Sequence, residues 1–431
     1  MKISVNTQAF LRQFKIAASA ATTKSRPGQQ YVRLTATIKT GIMLAAEDSP
    51  PYTSDLLEVQ IAMGGTILQE GSMHLPVKET LKILGRIKST ETILGSDPKD
   101  KDHAIAIHAT VGSKNTEYIL FGEKPSNTSE ISRAETYHSL PCTELQRAIK
   151  NTLFAVADAK HVRESIKGIH FETEGGKVHA VATNGVHLAR QPIAGSKAAA
   201  MPPATITKNA VKLLEKILKE TTCGEVQMTV TDRTMTYRGD VLFQIGNTLM
   251  HSQSIPQKFP DWRSILPKPE KFLQATVGCV NLLNALTTFD AEEVQLVFTK
   301  ERLTIESEKG EVPIASNCKG KATVKFHTAN LVSMLKAYLS SYSKAQQLLE
   351  ECTFTMNGID VVKVTAKHGF TYVIMPVCGM TEAIEYPVTG ENGEDITAFE
   401  RERFRKLMEE KQAKEAKEAK EALEAKMKGE L

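Results

Sequence analysis

The sequence predicts an α+β protein of three tandem domains, each with two helices packed on antiparallel sheets. Three observations predict this class. One strand-and-helix plan occurs three times, the segments between the helices alternate apolar and polar residues, and 431 residues exceed what one hydrophobic core accommodates. With 41% hydrophobic and 24% charged residues, the composition is that of a folded globular protein and not of a disordered chain.

An extended stretch leads into a short amphipathic helix at three places in the chain. The predicted helices begin near Thr7, Thr143 and Asn281, so successive starts are 136 and 138 residues apart. A second strand-and-helix unit lies midway in each interval, at residues 73–87, 204–220 and 324–341. The alternating stretches between these helices predict antiparallel strands and hairpins.

This repeat divides the chain into four segments. The predicted domains are residues 1–136, 137–270 and 271–380, and residues 381–431 form a linker and a charged C-terminal helix. Three unrelated α+β domains of similar size would give a looser version of the pattern. Paired helices at matching offsets in each segment favour a true repeat.

Basic residues recur four positions apart on several predicted helices, so they share a face opposite the apolar stripe. The clearest rows are on helices 76–88 and 207–220. The candidate basic positions are Arg12, Lys15, Lys78, Lys82, Arg86, Arg147, Lys150, Lys208, Lys212, Lys216 and Lys219. A row of like charges is commonly a solvated face, and that interpretation stays open beside a binding surface.

A polyanionic partner would offset the repulsion within these rows, which costs a few tenths of a kcal/mol per like-charged pair. Residues 1–380 carry a net charge of +8 and residues 381–431 a net charge of −4, so the folded body is the basic part. Lysine suits phosphate and does not read bases. Any binding to nucleic acid would therefore be independent of sequence and sensitive to salt.

The motifs of the common catalytic and cofactor-binding sites are missing from the sequence: it has no phosphate-binding loop, dinucleotide fingerprint, nucleophile elbow or zincin helix. The six cysteines show no CxxC pair and are expected to be small buried residues. Asp232, Asp240, Asp261 and Asp290 would have to build a metal-dependent nuclease site, but they lie at predicted turns, where aspartate is common for backbone reasons. The sequence therefore predicts a binding protein with no catalytic residues, metal or cofactor.

No apolar run approaches the roughly 18 residues that a membrane helix needs, and the start MKISVNTQAF does not resemble a signal peptide. The protein is expected to be cytoplasmic and to bind no membrane.

Three stretches resemble the bacterial sliding clamp, the beta subunit of DNA polymerase III. They are LQRAIKNTLFAVADAKHVRESIKGIHFETEGGKVHAVATNGVHLAR (Leu145–Arg190), KFPDWRSILP (Lys258–Pro267) and YVIMPV (Tyr372–Val377). Their order and spacing, with MKISV at the start and the threefold repeat, extend the resemblance over about residues 1–378. It implies a replication processivity factor: a head-to-tail homodimeric ring of three clamp domains per chain, with helices around duplex DNA and sheets outside.

The resemblance also implies functional residues. The basic helices would face DNA phosphates, and further DNA contacts would come from the loops that follow the first helix of domains one and two, at Lys24, Arg26, Lys160 and His161. Clamps hold polymerases and the clamp loader through a hydrophobic cleft for short peptides between domains two and three. The positions matching that cleft are Arg163, Ile166, Thr183, Gly185, Val186, His187, Leu188, Pro260, Ile265, Val373, Met375 and Pro376. The candidate dimer contacts are Ile119, Leu120, Phe121, Leu286 and Phe289.

The chain departs from the family at the cleft, in a shortened stretch after Leu283 that normally meets the other subunit, and in its tail. Asn184, Val186 and His187 replace the usual run at the cleft, which suggests a shifted partner preference, as in a plasmid- or phage-borne clamp. The tail beyond residue 380 is rich in Ala, Glu, Lys and Leu, which predicts a helix. It either covers the cleft or forms a solvated, semi-rigid extension.

Three other functions compete with the clamp. A ring of the same fold without polymerase tethering would be a regulator or decoy. A metal-dependent nucleic-acid enzyme would use the turn aspartates. A scaffold protein would have lysine rows that are only solvated.

Overall fold

The computed structural model describes residues 1–21, 30–48, 57–96, 104–111, 114–122, 137–196, 201–231, 239–266, 273–318, 320–356 and 361–377. Lys24, Arg26, Asp232 and the predicted helix within 381–431 lie outside these residues. The chain divides into two compact units. Unit 1 comprises Met1–Trp262 and His368–Phe370, and unit 2 comprises Arg263–Lys367 and the residues from Thr371 onward. The predicted boundaries of four segments stay a prediction.

Among the described residues are six helices of eight residues or more and one short helix. They are α1 (Thr7–Ala20), α2 (Val77–Leu84), α3 (Cys142–Leu153), α4 (Lys208–Glu220), α5 (Cys279–Thr288), α6 (Thr328–Leu339) and the short α7 (Lys344–Gln347). Side-chain caps explain where two of them begin: Asn6 accepts a hydrogen bond from the backbone N–H of Ala9, and Thr207 accepts one from Ala210.

Unit 1 contains seventeen described strands in three sheets. The strands of its first part are β1 (Lys2–Asn6), β2 (Tyr31–Thr37), β3 (Gly41–Asp48), β4 (Leu57–Met63), β5 (Thr66–Gln69), β6 (Gly71–Pro76), β7 (Glu91–Ser96), β8 (Ala104–Val111) and β9 (Lys114–Phe121). Those of its second part are β10 (His138–Pro141), β11 (Gly168–Glu174), β12 (Lys177–Thr183), β13 (His187–Pro192), β14 (Ala204–Thr207), β15 (Glu225–Val230), β16 (Asp240–Ile245) and β17 (Thr248–Gln253). The strand orders are β5-β1-β7-β8-β9, β10-β15-β16-β17-β4-β3-β2-β6 and β14-β11-β12-β13.

The eight described strands of unit 2 run in the order β25-β24-β23-β18-β21-β20-β19-β22. They are β18 (Leu273–Gly278), β19 (Glu293–Phe298), β20 (Arg302–Ser307), β21 (Gly310–Cys318), β22 (Ala322–His327), β23 (Glu351–Met356), β24 (Val362–Ala366) and β25 (Thr371–Ile374). The neighbouring pairs for which a register is given are antiparallel. Helices α5 and α6 pack on each other and bury Leu282, Leu286, Leu331 and Leu335.

The backbone makes the same hydrogen bonds at the start of the helices in each of the three repeats. The first residue of the first helix donates to a distant carbonyl: Thr7 to Thr90 (3.0 Å), Cys142 to Gly224 (3.0 Å) and Cys279 to Glu350 (2.8 Å). The first residue of the second helix also donates to a distant carbonyl. That carbonyl belongs to the residue immediately before β2, β11 or β19, the first strand after the first helix of each repeat. These bonds join Val77 to Gln30 (2.9 Å), Lys208 to Lys167 (3.2 Å) and Thr328 to Glu292 (2.9 Å). Because these hydrogen bonds join equivalent positions in each of the three segments, the repeat found in the sequence is also present in the structure.

The two repeats of unit 1 are joined by one continuous sheet. Strand β4 of the first repeat pairs antiparallel with β17 of the second, and Glu58 lies directly opposite His251. The His251 ring places Nδ1 3.0 Å from a Glu58 carboxylate oxygen and Nε2 3.0 Å from an Asp240 oxygen. Both ring nitrogens therefore meet carboxylates, the arrangement of a protonated histidine bridging the two repeats.

Candidate functional site

Five of the predicted basic residues on α2, on the turn after it and on α4 are exposed to solvent. They are Lys78, Lys82, Arg86, Lys212 and Lys219, the last of which is paired with Glu215 at 2.7 Å. Each helix buries its apolar face, with Leu84 of α2 and Leu214 of α4 fully buried. The basic side chains therefore project from the faces of these helices that the unit leaves open.

Ion pairs within unit 1 engage other predicted DNA contacts. Arg147 is half-buried and donates two hydrogen bonds, of 2.7 and 2.8 Å, to Glu144 on the same helix. Arg12 donates to Glu220 at 3.1 Å, with both side chains about half exposed. Lys208 lies 3.8 Å from Asp158, and Lys150 is half-buried.

Lys216 contacts the first repeat, although the sequence assigns it to a lysine row. Its ammonium donates to the carbonyl of Lys15 at 3.0 Å and to the Ser19 hydroxyl, so it links α4 to α1. Burial is the main reason that the pKa of Lys216 is lowered, and Lys15 adds to the effect. Because these hydrogen bonds hold the ammonium, it is less available to a phosphate than the exposed Lys212.

Lys160 and His161 lie in the turn between α3 and β11. Lys160 is exposed, and the backbone N–H of His161 donates to the Asp158 carbonyl at 3.0 Å. The Nδ1 atom of His161 accepts a hydrogen bond from the backbone of Arg163 at 3.1 Å. The His161 ring therefore holds the turn, and Lys160 is the freer of the two for a phosphate contact.

Most of the unit 1 positions predicted for the peptide cleft belong to the hairpin between β12 and β13. Thr183 Oγ1 donates to the His187 carbonyl at 2.7 Å, and Asn184 Oδ1 accepts from the backbone of Val186 and His187 at 3.0 Å. Gly185 has φ +93°, a conformation that favours glycine. The turn leaves Val186 46% exposed. The hairpin thus presents one apolar side chain on a hydrogen-bonded turn.

The C-terminal end of α3 links this hairpin to the 3-10 turn Glu164–Ile166. The Phe154 ring lies 5.9 Å from the His187 ring, and the backbone of Ala157 donates to the Ile166 carbonyl at 3.2 Å. Arg163 is exposed beside this turn. Ile166 and Leu188 are buried and support the surface from below.

Pro260 is exposed on the segment Lys258–Trp262, which packs on β11 and β13. The Phe259 ring stacks on His170 of β11 at 4.6 Å between centroids, and the Arg190 guanidinium of β13 lies 5.0 Å from the centre of the Trp262 ring. Trp262 Nε1 donates to Glu172 at 2.6 Å. Arg190 donates to Glu174 at 2.5 Å.

The sequence analysis missed His170, Glu172, Glu174 and Arg190. The signal that points to them is the alternation His-x-Glu-x-Glu in β11, which puts three polar side chains on one face of a strand that is otherwise buried.

The unit 2 positions predicted for the cleft differ in exposure. Met375 is 46% exposed, and Ile265 and Pro376 are half-buried. Val373 is only 2% exposed, so its side chain is a core residue. Val377 donates a backbone hydrogen bond to Lys325 of β22 at 2.8 Å.

The predicted dimer contacts divide by exposure. β9 is the outer strand of the five-stranded sheet, with Ile119 and Phe121 60% and 66% exposed. Leu120 and Leu286 are 5% and 0% exposed, so both side chains lie in the core of their own chain, and their contact role stays a prediction. Successive strand residues face opposite sides, which is why Leu120 points inward. Phe289 is half-buried.

The competing nuclease interpretation needs a cluster of metal-binding side chains. Among the described residues no group of three or more His, Cys, Asp or Glu side chains has a geometry that could hold a metal ion. Asp240 is paired with His251, and Asp261 and Asp290 are exposed at separate turns. In the part of the chain that the structure describes, no helix is long and apolar enough to span a bilayer.

Comparison with known proteins agrees with this architecture. The family described as DNA polymerase III beta subunit, central domain, matches residues 139–261. The beta sliding clamps of Salmonella typhimurium and Escherichia coli K12 are each 26% identical over 260 residues, which is 57% of this chain and 66% of theirs. The chain thus aligns with slightly less than two thirds of these curated relatives.

Solved structures match over more of the chain. The Thermotoga maritima beta subunit has a TM-score of 0.72 and 17% identity, covering 87% of this chain and 99% of its own. The Bartonella birtlesii sliding clamp bound to griselimycin has a TM-score of 0.73 and 19% identity, covering 88% and 100%. The protein therefore has the sliding-clamp fold.

The match to the central domain and the clamp relatives confirm the resemblance drawn from the sequence. The chain resembles the bacterial DNA polymerase III beta subunit, and its residues 139–261 match the central domain of that family.

Proposed function

We propose that the protein is a non-catalytic processivity clamp. Two chains form a head-to-tail ring that a clamp loader places around duplex DNA, and the ring then tethers a replicative polymerase. The observation that carries this proposal is a clamp fold whose exposed helix faces bear Lys78, Lys82, Arg86 and Lys212. A row of cations suits the regularly spaced phosphates of a duplex and does not discriminate between bases.

A ring that encircles DNA and a protein that is held on DNA only by charge respond differently to free DNA ends and to salt. We expect the loaded protein to remain on nicked circular plasmid through washes of rising salt and to leave the same plasmid after linearisation. A protein held only by its lysines loses both DNAs at the same salt concentration. Equal loss from circles and linear molecules contradicts the ring.

The proposed dimer joins the apolar edge of β9 to unit 2 of a second chain. Ile119 and Phe121 are the contacts that the first chain supplies, and Phe289 is the candidate in the second. Light scattering on a sizing column should give the mass of two 47.4 kDa chains. The double variant Ile119→Asp and Phe121→Asp should give the mass of a single chain in the same measurement. Leu68→Asp is the control, because Leu68 is exposed on the outer strand β5 at the other edge of the same sheet.

The proposed partner-binding surface of unit 1 is the β12–β13 hairpin with Arg163 and Pro260. Val373, Met375 and Pro376 of unit 2 stay predictions for the same role, with Val373 acting from the core. Griselimycin, the molecule bound to the Bartonella birtlesii clamp, is a probe for this surface. Calorimetric titration should detect its binding, and Val186→Asp should weaken it about tenfold by placing a charge on the apolar contact.

A clamp-like decoy that does not tether a polymerase is not favoured by the relatives, which are sliding clamps. Retention on circular DNA together with no binding of griselimycin or of polymerase peptides would favour the decoy. The metal-dependent enzyme is not favoured either, and magnesium-dependent cleavage of DNA would be the result that restores it.

A further inference from the structure

The segment Lys258–Trp262 contacts one face of the sheet β11-β12-β13 through two aromatic contacts, Phe259 on His170 and Trp262 on Arg190, and through one hydrogen bond, from Trp262 to the Glu172 carboxylate. Residues that lie directly opposite in neighbouring strands share a face. The register pairs His170 with Val181, Val181 with Arg190, and Thr183 with Leu188. This face therefore carries His170 and Arg190 together with the cleft candidates Thr183 and Leu188.

The opposite face of the same sheet packs on helix α3. There Gln191 is fully buried and accepts a hydrogen bond from the Asn151 side chain at 2.9 Å. The contacts of the segment Lys258–Trp262 are thus separated from the helices by the thickness of the sheet. A change at Arg190 should leave the basic helix faces undisturbed.

Arg190 is the centre of the network. Its guanidinium is directed at the indole face of Trp262 at 5.0 Å, and the same group donates to Glu174 at 2.5 Å. Glu174 fixes the guanidinium from one side, so its plane is held against the ring. The Arg190 side chain is 21% exposed, so little water competes for these contacts.

The Trp262 indole is also contacted at its edge, by Glu172. Trp262 is 3% exposed, and its N–H donates to Glu172 at 2.6 Å, a short hydrogen bond to a charged acceptor. His170 stacks on Phe259 with the two rings within 5° of parallel. Pro260 lies between Phe259 and Trp262 in sequence, so its position is set by anchors on both sides.

We propose that Arg190, Glu172 and Glu174 are positioning residues for the partner-binding surface, which hold Pro260 in register with the β12–β13 hairpin through Phe259 and Trp262. This inference rests on the proposed peptide-binding function. Preorganised supports of this kind raise affinity because the surface is not reordered at each binding event.

Trp262 is the single tryptophan of the chain, so its fluorescence reports directly on the anchor. We expect Arg190→Met to shift the emission maximum to longer wavelength, because loss of the cation admits water to the ring. Griselimycin affinity, measured by calorimetry on the full chain, should fall about tenfold. Arg190→Lys should give an intermediate loss, because lysine keeps the charge without the planar fork.

Two further comparisons separate positioning from general damage. Glu172→Gln keeps an oxygen that accepts the indole N–H and should bind griselimycin like the unaltered protein, whereas Glu172→Ala should not. Arg302→Met makes the same exchange at an exposed arginine of unit 2 and should change neither the emission nor the affinity. Once loaded, each of these variants should be retained on circular DNA like the unaltered protein, because the sheet separates these positions from the basic helix faces.

The outcomes distinguish this inference from the function on which it rests. If the unaltered protein does not bind griselimycin, the proposed peptide site fails and the inference with it. If the unaltered protein binds and Arg190→Met binds within about twofold of it, the positioning role is wrong while the peptide site stands. An unchanged Trp262 emission in Arg190→Met also overturns the positioning role.

Discussion

His251 bridges the two repeats of unit 1, and replacing it with glutamine tests how strongly a charged contact holds that junction. Burial alone would lower the pKa of the ring, but hydrogen bonds to Asp240 and Glu58 outweigh burial and raise the pKa of His251 from 6.5 to about 9. A rise of that size corresponds to about 3 kcal/mol in favour of the folded state while the ring is protonated.

The pH dependence has a definite sign. Because the pKa of the folded state lies above that of the unfolded state, the contribution is fully present below pH 6.5. It declines as the pH rises from there towards about 9, and it is lost above that value. In His251→Gln, Glu58 and Asp240 face each other without a cation, so the variant should lose about 3 kcal/mol of unfolding free energy at pH 6.

Urea unfolding of both proteins at several pH values between 6 and 10, followed by Trp262 fluorescence, measures this difference within unit 1. The gap between the two unfolding free energies should close as the pH passes about 9. His108→Gln is the control, because His108 lies 3.7 Å from Glu117 in a half-exposed pair and should change stability by less than about 0.5 kcal/mol. A gap that is the same at pH 6 and pH 10 refutes the reasoning.

Three further changes have expected outcomes. Leu214→Ala removes a fully buried side chain of α4 and should cost about 2–5 kcal/mol in urea unfolding, whereas a loss below about 1 kcal/mol would contradict the packing of that helix. Gly185→Ala places a side chain at φ +93° and should cost about 1 kcal/mol and weaken griselimycin binding, and unchanged affinity would contradict the role of the turn. The double variant Lys82→Glu and Arg86→Glu should lower the salt dependence of DNA binding by about two phosphate contacts, whereas the exchanges Arg302→Glu and Lys309→Glu together, at an exposed arginine and an exposed lysine of unit 2, are the charge-matched control. An identical salt slope for the double variant and the control would exclude α2 and the turn after it from the DNA surface.

The helices and their threefold repeat could be predicted because the signal is local. The predicted starts near Thr7, Thr143 and Asn281 compare with observed starts at Thr7, Cys142 and Cys279. Apolar residues at helical spacing and a capping side chain at Asn6 or Thr207 are properties of a few adjacent residues, so they can be read from the sequence.

The division of the basic residues could not be predicted, because it depends on what lies across a helix junction. Lys212 and Lys216 are four residues apart in one row, yet Lys212 is exposed and Lys216 bonds to α1. The partner of Lys216 is about 200 residues away in sequence, and nothing in the spacing of the row indicates it.

The residues of the candidate cleft were predicted from the resemblance to clamps. The residues that position the cleft could not be predicted in this way. Thr183, Gly185 and Pro260 lie within motifs that resemble clamps. Arg190 and Glu172 act through contacts between separate strands and the segment Lys258–Trp262. Leu286 is fully buried within its own chain, and its role as a dimer contact stays a prediction, because periodicity shows that a leucine lies on an apolar face without showing whether that face meets its own core or another chain.

Release from DNA at the moment a circle is cut tests the central claim most directly. The protein is loaded onto a fluorescent plasmid circle with one restriction site, washed in salt high enough to remove non-specific binders, and followed while the enzyme cuts. A threaded ring should stay on the intact circle and leave within seconds of the cut with no change in salt. Retention that is the same before and after the cut would contradict encirclement.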